Sequence, residues 1–302
     1  MSGKPIAGKL IAKLQHRRPG KGANLAEVIN SSAAAEELQR GLAGGLTGFH
    51  PAHAAYVYTQ NQVSVMSEHL TALKEMAPFV EIISKAEDLY MPSAPPMSPL
   101  TTSYFTCWAF FDACAGTANE TIGTTVLEFG AAFGVHSELL RHIRLMQDSR
   151  MGVYIHKGRK GNLAVLEDLV TGATCTAIVP SGYGGKEGEL WYVRVLPPPI
   201  RGGSEHVVFT TPYILLQPGP RDWHAYFGRA FPQTARVDGY ERHMKYGPTR
   251  EYWNDFVFEA YVNHRTEAIY LAGLPDVPES RPHSMVNSQG FGGGSSTKRH
   301  FI

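Results

Sequence analysis

Residues 151–216 contain, in order, the short stretches MGVYIH, NLAVLEDLV, TCTAIV, ELWYVRVL and HVVFTTPYILL. They are rich in Val, Ile, Tyr and Phe, and in the first and fourth of them Val and Ile recur at every second residue. The intervening sequences GRKG, VTG and GYGGKEG are typical of hairpin turns. This pattern predicts five strands that form a small antiparallel β-barrel or curled sheet over residues 149–217.

The sequence before Arg150 has a helical period instead. Apolar residues recur at intervals of seven, three and four from Tyr56 to Val80, which predicts one stripe on a long helix. Pro78 lies within this run, so we expect a kink or a restart with Pro78 in a new first turn. More helices are predicted over residues 100–148, with Asn119 as an N-cap. Residues 1–148 are therefore predicted to form a helical domain.

The sequence after the predicted strands returns to a helical period. Trp223 and Phe227 share one face, and a longer stripe runs over 253–271. We therefore expect residues 218–275 to form a helical segment that packs on the other two parts. Pro, Ser, Gly and Asn dominate residues 276–302, which predicts a flexible tail. The predicted fold class is α+β, mostly helical with the small β-barrel or curled sheet in the middle.

The overall charge excludes a strong global attraction to polyanions. The 302 residues include 28 Lys and Arg against 27 Asp and Glu, so any attraction must come from a local patch. Three cysteines are too few for a disulfide framework and suit a reducing compartment. The sequence shows neither a signal peptide nor a membrane span. We expect a cytoplasmic protein.

The amino-terminal segment is locally basic. Six Lys and Arg residues lie between Met1 and Gly22, and no acidic residue precedes Glu27. One interpretation is an arm that grips phosphate. The other is an ordinary solvated chain end.

The predicted hairpin tips form the first candidate binding surface. Lys157, Arg159 and Lys160 lie at one tip, Lys186 lies at another, and Arg194 lies in mid-strand. Small barrels often bind nucleic acid through a basic face with aromatic rings on it. The aromatic residues of this unit are Tyr154, Tyr183, Trp191 and Tyr192. The alternative is that Lys and Gly serve solubility and turn geometry while the aromatics pack the core.

Two glycine-rich loops in this unit resemble phosphate-binding loops. The run Gly158–Gly161 resembles the GXXG loop of KH domains, which clamps a nucleic-acid backbone between two helices, whereas here it joins two predicted strands. The run Gly182–Lys186 resembles a P-loop superficially. However, Glu187 follows the lysine, and a strand follows instead of a helix. We interpret the second loop as a hairpin turn.

A second candidate surface lies in the carboxyl-terminal helices. Basic residues are interleaved with aromatic ones over 221–253, and those predicted to bind a partner are Arg236, Arg242 and Lys245. Packing of the aromatic residues against the β unit would explain the same pattern.

A single cysteine motif supports a different class of function. The run Thr106–Phe110 resembles the Cys-Trp-Ala-Phe run of papain-like cysteine proteases, which implies Cys107 as nucleophile. His206 and Asn254 are loose candidates for its partners. The family's small residues before the cysteine, its upstream glutamine and its downstream Asn-Ser-Trp run are missing here. Alternatively, Cys107 acts as a small hydrophobe on a helix face.

The remaining motifs predict no metal and no cofactor. Cys107 and Cys114 are too far apart along the chain, His50 and His53 form only one pair, and the spacing of Glu138 and His142 is commoner for a surface ion pair. Two hypotheses follow. The first is a non-enzymatic binding or scaffold protein that contacts a nucleic acid or a protein partner. The second is a cysteine-dependent hydrolase or transferase. The sequence does not indicate an oligomeric state.

Overall fold

The computed structural model describes residues 5–15, 48–91, 98–231 and 236–282. Its helices are α1 (Ile6–Gln15), α2 (Pro51–Thr71), α3 (Ala77–Tyr90), α4 (Thr102–Phe111), α5 (Ile122–Phe133), α6 (Ser137–Asp148), α7 (Pro220–Ala230), α8 (Arg236–Tyr246) and α9 (Tyr252–Ala260). Its strands are β1 (Met151–Lys160), β2 (Leu163–Asp168), β3 (Thr174–Ile178), β4 (Leu190–Leu196), β5 (His206–Val208), β6 (Tyr213–Gln217), β7 (Tyr261–Arg265) and β8 (Ala268–Ala272). The predicted α+β fold class is confirmed. The division into separate domains stays a prediction.

The predicted small barrel is confirmed. Strands β1, β2, β3, β5 and β4 pair in that order, and β4 pairs again with β1, which closes the ring. The sheet then continues from β4 through β6 and β8 to β7. Its pairing is mixed and not all antiparallel, because β3–β5 and β6–β8 are parallel. Side-chain alternation reports which face a residue occupies, but it does not report the direction of the neighbouring strand.

The barrel is packed on both sides of its wall. One set of strand residues, including Leu166, Trp191 and Val193, forms a compact apolar cluster of its own. Strand residues that point the other way, such as Val153 and Tyr192, belong to a cluster with residues of α4 and α7–α9. Among the helices that the structure describes, none is both long enough and apolar enough to cross a membrane.

The break at Pro78 is confirmed, whereas the N-cap at Asn119 is wrong. Helix α2 ends at Thr71, and α3 begins at Ala77 with Pro78 in its first turn. The N-cap of α5 is Thr121, whose hydroxyl accepts a hydrogen bond from the Thr124 amide at 3.0 Å. Asn119 lies earlier in the turn with φ of 50°, a left-handed conformation that Asn tolerates better than most residues.

The predicted helical stripe over residues 253–271 is wrong beyond Ala260. Strands β7 and β8 form an antiparallel hairpin there, and β8 pairs with β6. The pairing of β8 with β6 outweighs the local helical pattern of apolar residues. Without it, buried backbone groups at the edge of β6 would lack hydrogen bonds.

The predicted tail and the predicted basic arm both include ordered structure. A 3-10 turn covers Pro278–Ser280, and Arg281 is buried and paired with Glu259. Near the other end, Glu120 accepts hydrogen bonds from the Ile6 and Ala7 amides and so caps α1, while Lys13 pairs with Glu75 at 2.8 Å. The rest of the tail and of the arm lies outside the described residues.

Candidate functional site

The end of β1 meets the loop between β3 and β4. Strand β1 extends to Lys160, so the β1–β2 hairpin turns at residues 161–162 and not over the predicted 158–161. The predicted hairpin turn over residues 182–188 is wrong, because β3 pairs with β5 and not with β4. The carbonyl of Glu189 accepts a hydrogen bond from the His156 amide at 2.9 Å, and the carbonyl of His156 accepts one from the Gly188 amide at 2.8 Å. A methyl group placed on Gly184 would lie 3.3 Å from the Arg159 guanidinium. The structure therefore brings these two segments together, and we call their four exposed basic residues the tip surface: Lys157, Arg159, Lys160 and Lys186.

The tip surface is only partly neutralised. Lys157 Nζ lies 3.6 Å from Glu167 Oε2, and the Glu187 carboxylate lies beside Gly158. No ion pair within the described ranges includes Arg159, Lys160 or Lys186. Arg159 donates instead to the carbonyl of Asn162 at 3.1 Å. Three of the four cations are thus left to interact with solvent or with a ligand.

An aromatic stack holds the loop over residues 180–189 in place. The Trp191 ring is fully buried, with the His156 ring centroid at 4.8 Å and the Tyr183 centroid at 5.4 Å. Glu189 Oε2 accepts hydrogen bonds from Tyr183 Oη at 3.1 Å and from Trp191 Nε1 at 3.3 Å. Burial lowers the pKa of His156, so the positive charge of the tip surface comes from lysine and arginine.

The aromatic residues of the barrel do not form an exposed stacking face. Trp191 and Tyr192 are 0% exposed and Tyr154 is 9% exposed. The alternative interpretation of the sequence pattern, that these rings pack the core, therefore holds for these three. Tyr183 is only half-buried, but its hydroxyl is already bonded to Glu189.

Arg194 and Lys245 lie inside the protein. Arg194 is 1% exposed and forms a short ion pair with Asp112, and its Nη1 donates to Ser149 Oγ at 3.1 Å. Lys245 Nζ donates to Asp112 Oδ1 at 3.1 Å, to the Ser149 carbonyl at 2.7 Å and to the Gln147 carbonyl. Burial lowers the pKa of Lys245. These two cations stabilise the junction of α4, α6 and β4, and they do not belong to the tip surface.

Lys245 also lines an open cavity of about 560 Å³ that we call the basin. Helices α5, α6 and α8 and the start of β1 surround it. Its walls include Arg144, Asp148, Asp238, Glu241 and Arg242. Arg242 and Lys245, which both belong to the second candidate surface, thus line the same cavity, and their role in binding stays a prediction. Arg236 begins α8, but its side chain lies outside the described part of the chain.

The proposed nucleophile Cys107 is sealed in the helical core. It is 1% exposed, and burial raises the pKa of its thiol to about 11. The charged groups that act on this pKa are Arg194, Asp112 and Lys245. His206 lies on β5 and Asn254 is buried in α9, and no hydrogen bond within the described ranges joins either of them to Cys107. The geometry therefore offers no activated thiol.

Alkylation of the native protein is expected to spare Cys107. Reaction requires an accessible thiolate, and burial both hides this thiol and keeps it protonated. Cys114 and Cys175 are half-buried, so they should react first although burial raises their pKa as well. Iodoacetamide labelling followed by peptide mass spectrometry measures the order, with urea-unfolded protein as the control. Selective native labelling of Cys107 would revive the hydrolase hypothesis.

The candidate metal pairs are engaged in other contacts. Glu138 pairs with Arg141 at 2.8 Å and with Arg201 at 2.5 Å, and His142 Nδ1 lies 2.8 Å from the Glu138 carbonyl. His50 Nε2 lies 3.4 Å from Glu205. Among the described residues, no group of three or more His, Cys, Asp or Glu side chains is placed to hold a metal ion.

A buried hydrogen-bonded chain was not predictable from the sequence. Tyr226 Oη lies 2.6 Å from His243 Nε2 and 2.9 Å from Tyr252 Oη. Burial lowers the pKa of His243 to about 4, so the ring is neutral at pH 7 within this hydrogen-bonded chain. These residues come from α7, α8 and α9, and no spacing in the sequence relates them.

His243 is expected to make the fold acid-sensitive. Its folded-state pKa is depressed from 6.5 to about 4, so only the unfolded chain takes up a proton between those values. The free energy of unfolding should fall by about 3 kcal/mol as the pH drops through this window, because each pH unit within it lowers that free energy by about 1.4 kcal/mol. Urea unfolding at pH 7, 5.5 and 4.5 measures the loss. H243Q keeps an acceptor for Tyr226 and should flatten the dependence; an equal pH slope in both proteins would contradict the assignment.

The described residues therefore contain an exposed basic tip surface, a charged basin and a buried cysteine. The first two are accessible to a ligand, and the third is not. Comparison of the chain with protein-family models, with curated proteins and with solved structures found no significant match.

Proposed function

We propose that this protein is a non-enzymatic binding protein whose tip surface engages the phosphate backbone of a nucleic acid. The supporting observation is the meeting of the end of β1 with the loop between β3 and β4, because these two segments carry four exposed lysine and arginine side chains. Phosphate contacts by such side chains release condensed counterions, which provides most of the affinity in non-specific binding.

The rigidity of the loop supports the same proposal. The loop over residues 180–189 is fixed by the stack on Trp191 and by the hydrogen bonds to Glu189. The loop that carries Lys186 is therefore held beside the end of β1 before any ligand arrives, which lowers the entropy cost of binding.

The proposed binding is not sequence-specific. Backbone contacts position a protein on nucleic acid but do not read the bases. Base stacking would require exposed rings, and Trp191 and Tyr192 are fully buried. We therefore expect similar affinity for unrelated sequences of equal length.

The test is fluorescence anisotropy with a labelled DNA duplex at increasing salt. If Arg159, Lys160 and Lys186 each neutralise one phosphate, the affinity should fall about 40-fold between 50 and 200 mM salt, because the logarithmic slope is about −0.9 per contact. Affinity that is independent of salt, or absence of binding at the lowest salt, would overturn the proposal.

Charge reversal locates the surface. The double variant R159E/K160E should bind at least about tenfold more weakly at low salt and show a salt slope smaller by about 2. The matched control K85E/R221E makes the same change in net charge at exposed positions on α3 and α7. Equal losses in the two double variants would show that overall charge, and not the tip surface, determines binding.

A further inference from the structure

The basin has the dimensions of a small-molecule site. Its volume of about 560 Å³ lies inside the range of about 300–1,000 Å³ that is usual for ligand pockets. It is independent of the tip surface, because none of the four tip residues lines it. Its lining is charged, so its chemistry is best judged from where each charge lies.

The most buried charged residue that lines the basin is a cation, and we call this part of the basin its floor. Lys245 lines it with only 10% of its side chain exposed, and behind it Arg194 is 1% exposed. These two cations share a single carboxylate, Asp112, and their other acceptors are neutral carbonyl and hydroxyl oxygens of Gln147 and Ser149. The buried cluster therefore retains one positive charge, which water and salt screen poorly.

The walls of the basin carry both signs of charge at exposed positions. Arg144 and Arg242 are exposed, and no ion pair within the described ranges includes either of them. The carboxylates are Asp148, Asp238 and Glu241, all exposed. Glu241 lies 3.7 Å from Arg150, and Asp148 is close enough to Lys245 to act on the pKa of its ammonium group, but neither Asp148 nor Asp238 forms an ion pair within the described ranges. Two guanidinium groups and two carboxylates thus remain available to a ligand.

We propose that the basin binds a small amino-acid-like zwitterion, with its carboxylate on Arg144 and Arg242 over the positive floor and its ammonium group facing Asp148 and Asp238. A guanidinium matches a carboxylate through paired hydrogen bonds. An anion that lacks the ammonium group would be repelled by the carboxylates of Asp148 and Asp238. A cation that lacks the carboxylate would be repelled by the positive charge of the floor.

Three matched probes test the charge requirement by isothermal titration of the full chain. L-serine carries both charges, 3-hydroxypropanoate lacks the ammonium group, and ethanolammonium lacks the carboxylate. Because the basin is open and wet, we expect saturable L-serine binding with a Kd on the order of a millimolar and at least about tenfold weaker binding of the other two. The proposal is overturned if neither L-serine nor L-glutamine saturates, or if 3-hydroxypropanoate binds as tightly as L-serine.

Paired variants locate the ligand. R144Q/R242Q should weaken L-serine binding at least tenfold with an unchanged unfolding midpoint, since both side chains are exposed and unpaired within the described residues. The control R221Q/R265Q removes two exposed arginines elsewhere and should bind normally. D148N/D238N should weaken L-serine binding and strengthen 3-hydroxypropanoate binding. Retained L-serine affinity in R144Q/R242Q would exclude this site, and R159E/K160E should leave L-serine binding intact whatever its effect on DNA.

Discussion

The D112N variant is expected to lose about 3–5 kcal/mol of stability, because it would leave two buried cations without their carboxylate. Asp112 is 6% exposed and accepts from Arg194 on one oxygen and from Lys245 on the other. Asparagine has nearly the same shape, so the loss would measure charge compensation and not packing. The same change should also make the basin floor more positive.

Urea unfolding of D112N beside E81Q measures the effect. Glu81 also pairs with a lysine, Lys85, but both side chains are mostly exposed, so the loss of this pair should destabilise the protein far less than D112N does. In a K245M background only Arg194 would lose its carboxylate partner. D112N should therefore lower the free energy of unfolding less there than in the wild-type protein. A loss below about 1 kcal/mol in the wild-type background would show that water reaches this cluster.

The G185A variant is expected to detach the loop that carries Lys186, at a cost of about 2–4 kcal/mol that combines backbone strain with overpacking. Gly185 has φ of 66°, and a methyl group there would lie 2.4 Å from Trp191 Cζ2 and 3.2 Å from the His156 ring. Because Trp191 is fully buried, the loop must move instead. The loop would then no longer hold Lys186 beside the end of β1, so DNA affinity should fall as well.

The matched control is G182A in the same loop. Gly182 has φ of 82°, but no atom lies within 4 Å of the added methyl group, so only the strain of about 1 kcal/mol remains. Unfolding free energies measure the loss of stability. Hydrogen exchange at the Gly188 amide, which donates to the His156 carbonyl, measures the detachment of the loop. Equal behaviour of the two variants would contradict the proposed contact with Trp191.

Much of the architecture could be predicted from local pattern. The change of period after Arg150 marked the barrel, and Pro78 marked the start of α3, because both features reflect backbone preferences over a few residues. The turn between β1 and β2 was also recognisable, since glycine at a turn depends on local geometry. The contact of β1 with the β3–β4 loop was not, because it depends on the pairing of β1 with β4 and of β3 with β5.

The sequence alone determined which segments before Ala260 are helical and which are extended, and it placed the β1–β2 turn to within a few residues, since these follow from side-chain period and turn chemistry within short segments. The tertiary structure alone decided that Arg194 and Lys245 are buried around Asp112, that Cys107 is sealed from solvent and that 261–272 pairs with β6. Burial and pairing depend on residues distant in the chain, and a charged side chain looks the same in the sequence whether water or a carboxylate surrounds it.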